Sequence, residues 1–411
     1  MRVLFVNPAA GLGGSERSLV DLIASLVGSG SALEMKLLLF AHGDLEARVR
    51  ELGLDVEVLP LPEALETLGE SQREGAKGSR LAPLFRGVVA AVPYAAALRR
   101  VVVAFRPTLV HTNGMKAHLF GALAAPGLPR VVHLRDFMSE RPLSRYVLPL
   151  VRRRAVFVTN SRAVEADALS VAPSLRTRVV YNGIDLEMFR PASRMDTHLA
   201  KLSGLDEPAP NAVVVGLVAT YAWWKGHRTF LDAAARIRRA VASGGARFYV
   251  VGGPVYRTSG SEITETELRS MIANARLDRD VGIVPFQNDV ASVYRGLDIV
   301  VHASERPEPF GRTIVEAMAS GRAVVVARAG GALELFTEGQ TGLGFHPGDP
   351  ADLARRVLEL VRDADLRARL AEAARRDAES RFGRDRLAGE VLAVYEELVQ
   401  ATTPRHTGGH V

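Results

Sequence analysis

The chain has no cysteine, which excludes disulfides, thiolate metal sites and a cysteine nucleophile. Lysine is scarce: Lys36, Lys77, Lys116, Lys201 and Lys225 are five of 52 basic residues, so arginine carries the positive charge. Aromatic residues make up 6%, with two tryptophans standing together at Trp223-Trp224. No run reaches the ~18 apolar residues of a membrane-spanning helix. The nearest, Gly87 to Leu98, stops at Arg99-Arg100. The start of the chain, one Arg and then strand-like Val3 to Val6, lacks the layout of a signal peptide and reads as an intracellular, cytoplasmic protein. The basic residues are scattered and no helix-turn-helix, zinc-finger or RNA-binding motif occurs, which argues against nucleic acid.

What is present is globular material. The 411 residues, 47% hydrophobic and 24% charged, suit two α/β domains with a core each. A net charge of +6 reads either as arginine-rich coding bias or as attraction to phosphate-bearing ligands or an anionic membrane surface. The apolar stretch carrying Arg86, Arg99, Arg100 and Arg106 reads as a buried helix or as one lying on a membrane, with peripheral contact at the inner face. Tyr146 to Arg154 repeats the mixture.

Short apolar runs alternate with stretches of helical period, the pattern of parallel sheets covered by helices on both faces. Strands are expected at 3–7, 35–40, 56–59, 109–112, 131–134, 155–159 and 178–181. A second series falls at 212–218, 248–251, 281–284, 299–302 and 323–327. The first helix shows an apolar stripe of Leu19, Leu22, Ile23, Leu26 and Val27, with Ser15 as the expected N-cap. Residues 62–85 read as a mobile loop. Residues 191–211, with Pro191, Pro208 and Pro210, read as a linker between domains 1–190 and 212–384. Asp349-Pro350 opens a helix. Two more follow at 365–381 and 385–400, the last expected to pack back on the first domain, before a flexible tail at 401–411. Doubly wound domains bind ligands at the carboxyl ends of their strands, so the cleft between the two is the default site.

The most informative segment is Glu308-Pro309-Phe310-Gly311-Arg312-Thr313-Ile314-Val315-Glu316, between the strand at 299–302 and a helix. Backbone N–H groups at a helix start suit a diphosphate. Carboxylates beside it suit neutral hydroxyls, from which they accept hydrogen bonds. A sugar nucleotide has both parts. The bland alternative, a surface Glu and a Glu paired with Arg312, stays open at this level. Gly11-Leu12-Gly13-Gly14 is a poor dinucleotide fingerprint, and no His and carboxylate set has metal-ligand spacing.

Taken with the rest of the chain, this segment resembles the family-4 retaining glycosyltransferases of GT-B fold. Gly13-Gly14-Ser15-Glu16-Arg17 looks like the family's glycine-rich turn. Tyr181-Asn182-Gly183-Ile184-Asp185, with Phe189 and Pro191, looks like its domain-crossing motif, and Lys225-Gly226-His227 like its basic loop. Gly330-Gly331, Glu334, Gly339 and Thr341-Gly342-Leu343 follow in order. The resemblance implies an α/β protein of two doubly wound Rossmann-like domains with an interdomain cleft. It implies a UDP- or GDP-sugar donor, a saccharide or lipid-linked acceptor, no bound metal and no cofactor besides the donor. Polysaccharide or cell-envelope synthesis is the implied setting.

The implied roles are specific. Glu316 would hold the ribose, and Glu308 the donor sugar, with backbone N–H groups of Phe310 and Gly311. Thr313 would lie near the phosphates, Lys225 would neutralise the diphosphate, and Gly13-Gly14 would let the backbone approach it. Two departures stand out. Thr220 occupies the place of a usual arginine, for which Arg228 is a weak substitute, and Pro285 replaces a common glycine in the base-binding loop. In the first domain His133, Arg135 and Asp136 end a strand where the family often places a histidine, with Arg135 at that position. An Arg135–Asp136 pair is the structural alternative. His111-Thr112-Asn113-Gly114 ends another strand. Retaining transfer is the expected reaction, the departing phosphate accepting the acceptor's proton. A GT-B epimerase and a catalytically weak sugar-nucleotide or glycan-binding subunit are the alternatives.

Overall fold

The computed structural model describes residues 1–66, 81–192, 198–254 and 262–402. They fall into two compact units, Met1–Gly183 with the chain from Arg384 on, and Ile184–Gly383.

The first unit runs β1 (Arg2–Asn7), α1 (Gly14–Gly28), β2 (Glu34–Leu39), α2 (Asp44–Arg50), β3 (Asp55–Val58), α3 (Glu63–Glu66), α4 (Leu81–Phe105), β4 (Leu109–Asn113), α5 (Met115–Ala124), β5 (Arg130–Leu134), α6 (Ser144–Val151), β6 (Ala155–Thr159), α7 (Arg162–Val171) and β7 (Thr177–Val179). Its strands pair in parallel, in the order β3-β2-β1-β4-β5-β6-β7. Alternation along β1 decides which helices cover which face. Val3 and Phe5 join a core with Leu19 and Ile23 of α1, whereas Leu4 and Val6 join one with Leu98 of α4 and Phe120 of α5.

The second unit runs α8 (His198–Ser203), β8 (Val213–Val218), α9 (His227–Ala240), β9 (Ala246–Gly252), α10 (Glu265–Asn274), β10 (Val281–Pro285), α11 (Val290–Arg295), β11 (Ile299–His302), α12 (Arg312–Ala319), β12 (Ala323–Ala327), β13 (Leu343–Phe345), α13 (Pro350–Arg362) and α14 (Ala364–Phe382). Its sheet is parallel too, in the order β10-β9-β8-β11-β12-β13. The last helix, α15 (Asp385–Thr402), belongs to the first unit, where Leu387, Val391, Tyr395 and Leu398 join the core around β1.

Several expectations change. Ser15 lies inside α1, whose N-cap is Gly13. The helix starts two residues early because Gly14 fits its first turn and Ser18 Oγ donates back to Gly14 O at 2.9 Å. Part of the expected linker is α8, which packs on β10 and buries Leu199 and Ala200. Residues 63–66 and 81–85 of the expected loop are helical, and 67–80 lie outside the described residues, as does 403–411 of the expected tail. Strand β13 falls where the sequence shows only a turn motif, its three residues being too short for a periodic signal. Asp349 caps α13 as expected, accepting from Ala351 N at 2.8 Å and Asp352 N at 3.0 Å.

Candidate active site

In the second unit, two loops leave the carboxyl ends of the neighbouring strands β8 and β11 and are tied together. Glu305 N donates to Trp224 O at 2.7 Å, and Thr229 Oγ1 donates to Glu305 Oε1 at 2.7 Å. Between these ties Gly226, at φ +73°, lies so close to the other loop that a Cβ would stand 1.9 Å from Ala303 O. Only glycine fits there. The single 3-10 turn Trp223–Lys225 is therefore pressed against the segment before Glu308.

The result is a convergence on one carboxylate oxygen. Glu308 Oε2 accepts from Lys225 Nζ at 2.7 Å and Ser304 Oγ at 2.8 Å, with His302 Nε2 at 3.3 Å. Burial alone would raise the Glu308 carboxyl, but the Lys225 ammonium and His302 outweigh it and hold it well below the usual range. The backbone is fixed as well. Gly331 N donates to Glu308 O at 2.7 Å, and Gly330, at φ +63°, would bring a Cβ within 2.6 Å of that oxygen.

Glu316, on the buried side of α12, accepts from Tyr294 OH at 2.9 Å and from Arg312 Nε at 3.1 Å. The bland alternative of an Arg312 pair is thus present, yet the carboxylate is buried instead of lying on the surface. Gly311, at φ +108°, caps α12, and Thr313 is half-buried in its first turn. The Phe310 ring packs on Phe382 with centroids 6.1 Å apart, so this residue offers its backbone and not its ring. Thr220 is half-buried just beyond β8 and Arg228 is exposed on α9. Arg306 lies 4.4 Å over the Trp223 ring.

In the first unit Gly13 is buried and Gly14 exposed at the start of α1. Arg135 and Asp136, adjacent in sequence, are not partners of each other. Arg135 is buried, donating to Asn113 Oδ1 at 3.3 Å and Asn182 Oδ1 at 2.7 Å. Asp136 is exposed and pairs with Arg141 at 3.0 Å. Arg135 Nη2 also meets His133 Nδ1 at 3.3 Å. A guanidinium only donates, so Nδ1 of His133 is the acceptor and its proton sits on Nε2. His111 Nε2, 3.1 Å from the same Nδ1, must then donate, which leaves its own Nδ1 to accept from Tyr395 OH at 2.6 Å. Burial first, and the Arg135 charge second, hold both imidazoles well below the usual range and keep them neutral; burial pushes Tyr395 well up. The chain of polarity is Tyr395 to His111 to His133, met from the other end by Arg135.

Tyr395→Phe therefore removes the donor to a buried imidazole nitrogen. It should cost about 1–3 kcal/mol in an unfolding experiment. Unchanged stability would refute the assigned tautomers.

The structure brings Lys225 and Glu308 together in the second unit, and it gathers His133 and Arg135 in the first. Sequence reasoning misses His302, Ser304, Tyr294 and Tyr395. His302 and Ser304 precede Glu308 by six and four residues, a spacing that a strand end followed by a tight loop could have suggested. Among the described residues no group of three or more His, Asp or Glu is arranged to hold a metal ion.

Matches to known families follow the same division. The family of glycosyl transferases group 1 matches residues 207–377, and glycosyltransferase family 4 matches residues 12–188. A D-inositol 3-phosphate glycosyltransferase from Salinispora arenicola is 33% identical over 259 residues, covering 60% of this chain and 56% of the relative. The sulfoquinovosyl transferase SQD2 of Arabidopsis thaliana is 24% identical, covering 80% of this chain and 65% of the relative. The chain thus spans somewhat over half the length of these curated relatives. Among solved structures, Anabaena HepE in complex with UDP and glucose superposes with a TM-score of 0.78 at 26% identity, covering 96% of this chain and 99% of that one. The same protein has been solved with UDP-glucose.

Proposed function

Because the chain belongs to the GT-B glycosyltransferases of family 4, we propose that it moves a sugar from a nucleoside-diphosphate sugar, most simply a UDP-sugar, to a hydroxyl of a saccharide or lipid-linked acceptor, with retention at the anomeric carbon. The observation that carries this is the ionised Glu308 held by Lys225, Ser304 and His302 beside the start of α12. Glu308 accepts from donor-sugar hydroxyls, and Glu316 does the same for the ribose. The leaving diphosphate gains negative charge as the glycosidic bond breaks. Lys225 and backbone N–H groups at the start of α12 oppose that charge.

Lys225 and Glu308 neutralise each other before donor binds. The diphosphate therefore enters by sharing the ammonium with Glu308, which leaves one carboxylate oxygen for sugar hydroxyls. The departing phosphate oxygen takes the acceptor's proton as the acceptor oxygen bonds to the anomeric carbon on the same face. No protein base is then required. In the first unit, the same reading gives Arg135, Asp136 and His133 to the acceptor. Lys225 and the backbone N–H groups at the start of α12 together oppose the leaving group's charge, and the reading invokes no metal.

The test is incubation with UDP-sugars and candidate acceptors in the presence of EDTA, with analysis of anomeric configuration in the product. Transfer with retention supports the reading. An altered free sugar nucleotide formed without acceptor would indicate an epimerase. Binding without turnover across donors and acceptors would indicate a binding subunit.

A further inference from the structure

The charge of the chain is far from evenly spread. Residues 80–160 contain thirteen Arg or Lys against two carboxylates, Asp136 and Glu140, although the whole chain carries only +6. Helices α4, α5 and α6 of that region contain no Asp or Glu. Elsewhere exposed arginines sit opposite carboxylates at helical spacing, as in Arg269–Glu265, Arg355–Glu359 and Arg376–Glu372. Coding bias toward arginine would not by itself remove acidic residues from three neighbouring helices.

These helices form one layer over the sheet of the first unit, with α5 in contact with both α4 and α6. Their inner sides supply core residues such as Leu98, Phe120, Val147 and Leu148. Their outer sides are unusual. Along α4, Val92, Ala96, Arg99 and Val103 recur at helical spacing and all are exposed, Val92 at 70% and Val103 at 60%. On α6 and just after it, Arg145, Tyr146, Leu150, Arg152 and Arg153 are exposed, Tyr146 at 61% and Leu150 at 60%. An outer helix face is ordinarily polar with both signs of charge. This one is built of aliphatic residues, one tyrosine and arginine.

We propose that this outer face of α4 and α6 docks on the surface of an anionic lipid bilayer. The aliphatic side chains and the Tyr146 ring enter the interface, while arginine stems lie along it and their guanidinium groups meet lipid phosphates. Charge complementarity selects this occupant. A second copy of the chain would bring the same arginines face to face. A soluble polyanion would satisfy the arginines and leave Val92, Val103, Tyr146 and Leu150 in water. A bilayer takes both. Among the described residues no helix is long and apolar enough to cross a membrane, so the contact is peripheral. This inference names a partner of the proposed transferase, but its test needs neither donor nor acceptor.

The full chain is mixed with vesicles of phosphatidylcholine alone and of phosphatidylcholine with phosphatidylglycerol, and bound protein is separated by flotation. Binding to the anionic vesicles only, weakened by salt, is expected. Replacing Arg99, Arg100, Arg145 and Arg152 by Gln should weaken it about fivefold per residue. Tyr146→Ser and Leu150→Ser should each weaken it about tenfold or more. Because all these side chains are exposed, the variants should melt at the wild-type temperature, which separates loss of docking from loss of fold. No binding to anionic vesicles, or equal binding to both kinds, overturns the proposal. So does binding that the serine variants leave unchanged and that soluble dextran sulfate abolishes, which would mark a polyanion surface.

Discussion

Lys225→Ala is expected to lower kcat with the nucleotide-sugar donor by about 10²–10³-fold, the usual result of removing one fixed donor from a developing anion. A loss of that size follows from position. Gly226 and the Glu305–Trp224 and Thr229–Glu305 bonds fix the loop that carries the ammonium, so its place is set before donor binds. The same substitution should change the pH profile. With Lys225 present, Glu308 stays ionised far into acid. Without it, burial is opposed only by Ser304 and His302, and the carboxyl moves up toward neutrality. The variant should therefore lose further activity as pH falls from about 7 to about 5, over a range in which the Glu308 of the wild type does not titrate. Lys225→Arg keeps the charge and should keep the flat acid side even where geometry lowers kcat. A uniform loss at all pH values in Lys225→Ala would mean that the ammonium does not control Glu308.

The second large effect concerns stability. Among the described residues, the first unit buries three histidines that stay neutral in the fold. Burial depresses His111 and His133 well below 6.5, with Arg135 adding to it, and pushes His118 down to about 3. In the second unit burial pushes His227 down to about 4. Unfolded histidines take up protons near pH 6.5. Below that pH the unfolded chain binds protons that the folded chain refuses, so stability falls with falling pH. Each such histidine contributes about 1.4 kcal/mol per pH unit, or roughly 4 kcal/mol per unit for the three in the first unit. The window opens below about pH 6.5 and for His118 closes near its folded value of about 3. Glu308 and Asp352, both held below the usual carboxylate range, lose their contributions only at lower pH. Glu16, raised by burial, runs the other way. Urea unfolding at about pH 7.5 and about pH 5.5 should show a large drop in midpoint, and His118→Gln should shrink that drop. A midpoint independent of pH would contradict the buried neutral state.

Much of this is legible in the sequence because parallel strands are buried on both faces and stand out as apolar runs. The segments 155–159, 299–302 and 323–327 coincide with β6, β11 and β12. Glu308 is legible because it stands in a loop between a strand and a helix, and Lys225 only through the resemblance of its loop to the family's. What is not legible rests on contacts between distant residues. Tyr395 lies 284 positions from His111 and occupies an ordinary core position on α15, so nothing in its neighbourhood marks it as a hydrogen-bond donor. The adjacency of Arg135 and Asp136 suggests a pair. The end of β5 instead turns the arginine inward to Asn113 and Asn182 and leaves the carboxylate outside with Arg141. Tyr294 reaches Glu316 from a different helix, which no spacing within 308–316 could reveal. Ser15 misleads because a good capping residue lies just inside a helix that glycine has already opened.

The proposed nucleoside-diphosphate-sugar site of the second unit is built on Glu308, Lys225 and Glu316. Thermal unfolding with UDP, GDP, dTDP and NAD, each compared between wild type and Glu316→Gln, tests it most directly. A ligand at about 100 times its dissociation constant stabilises the fold by about 2.7 kcal/mol. Stabilisation is expected from one nucleoside diphosphate, UDP first, and none from NAD, with the UDP effect lost in Glu316→Gln. Stabilisation that survives unchanged in the variant, or none from any nucleoside diphosphate, would contradict the proposed site.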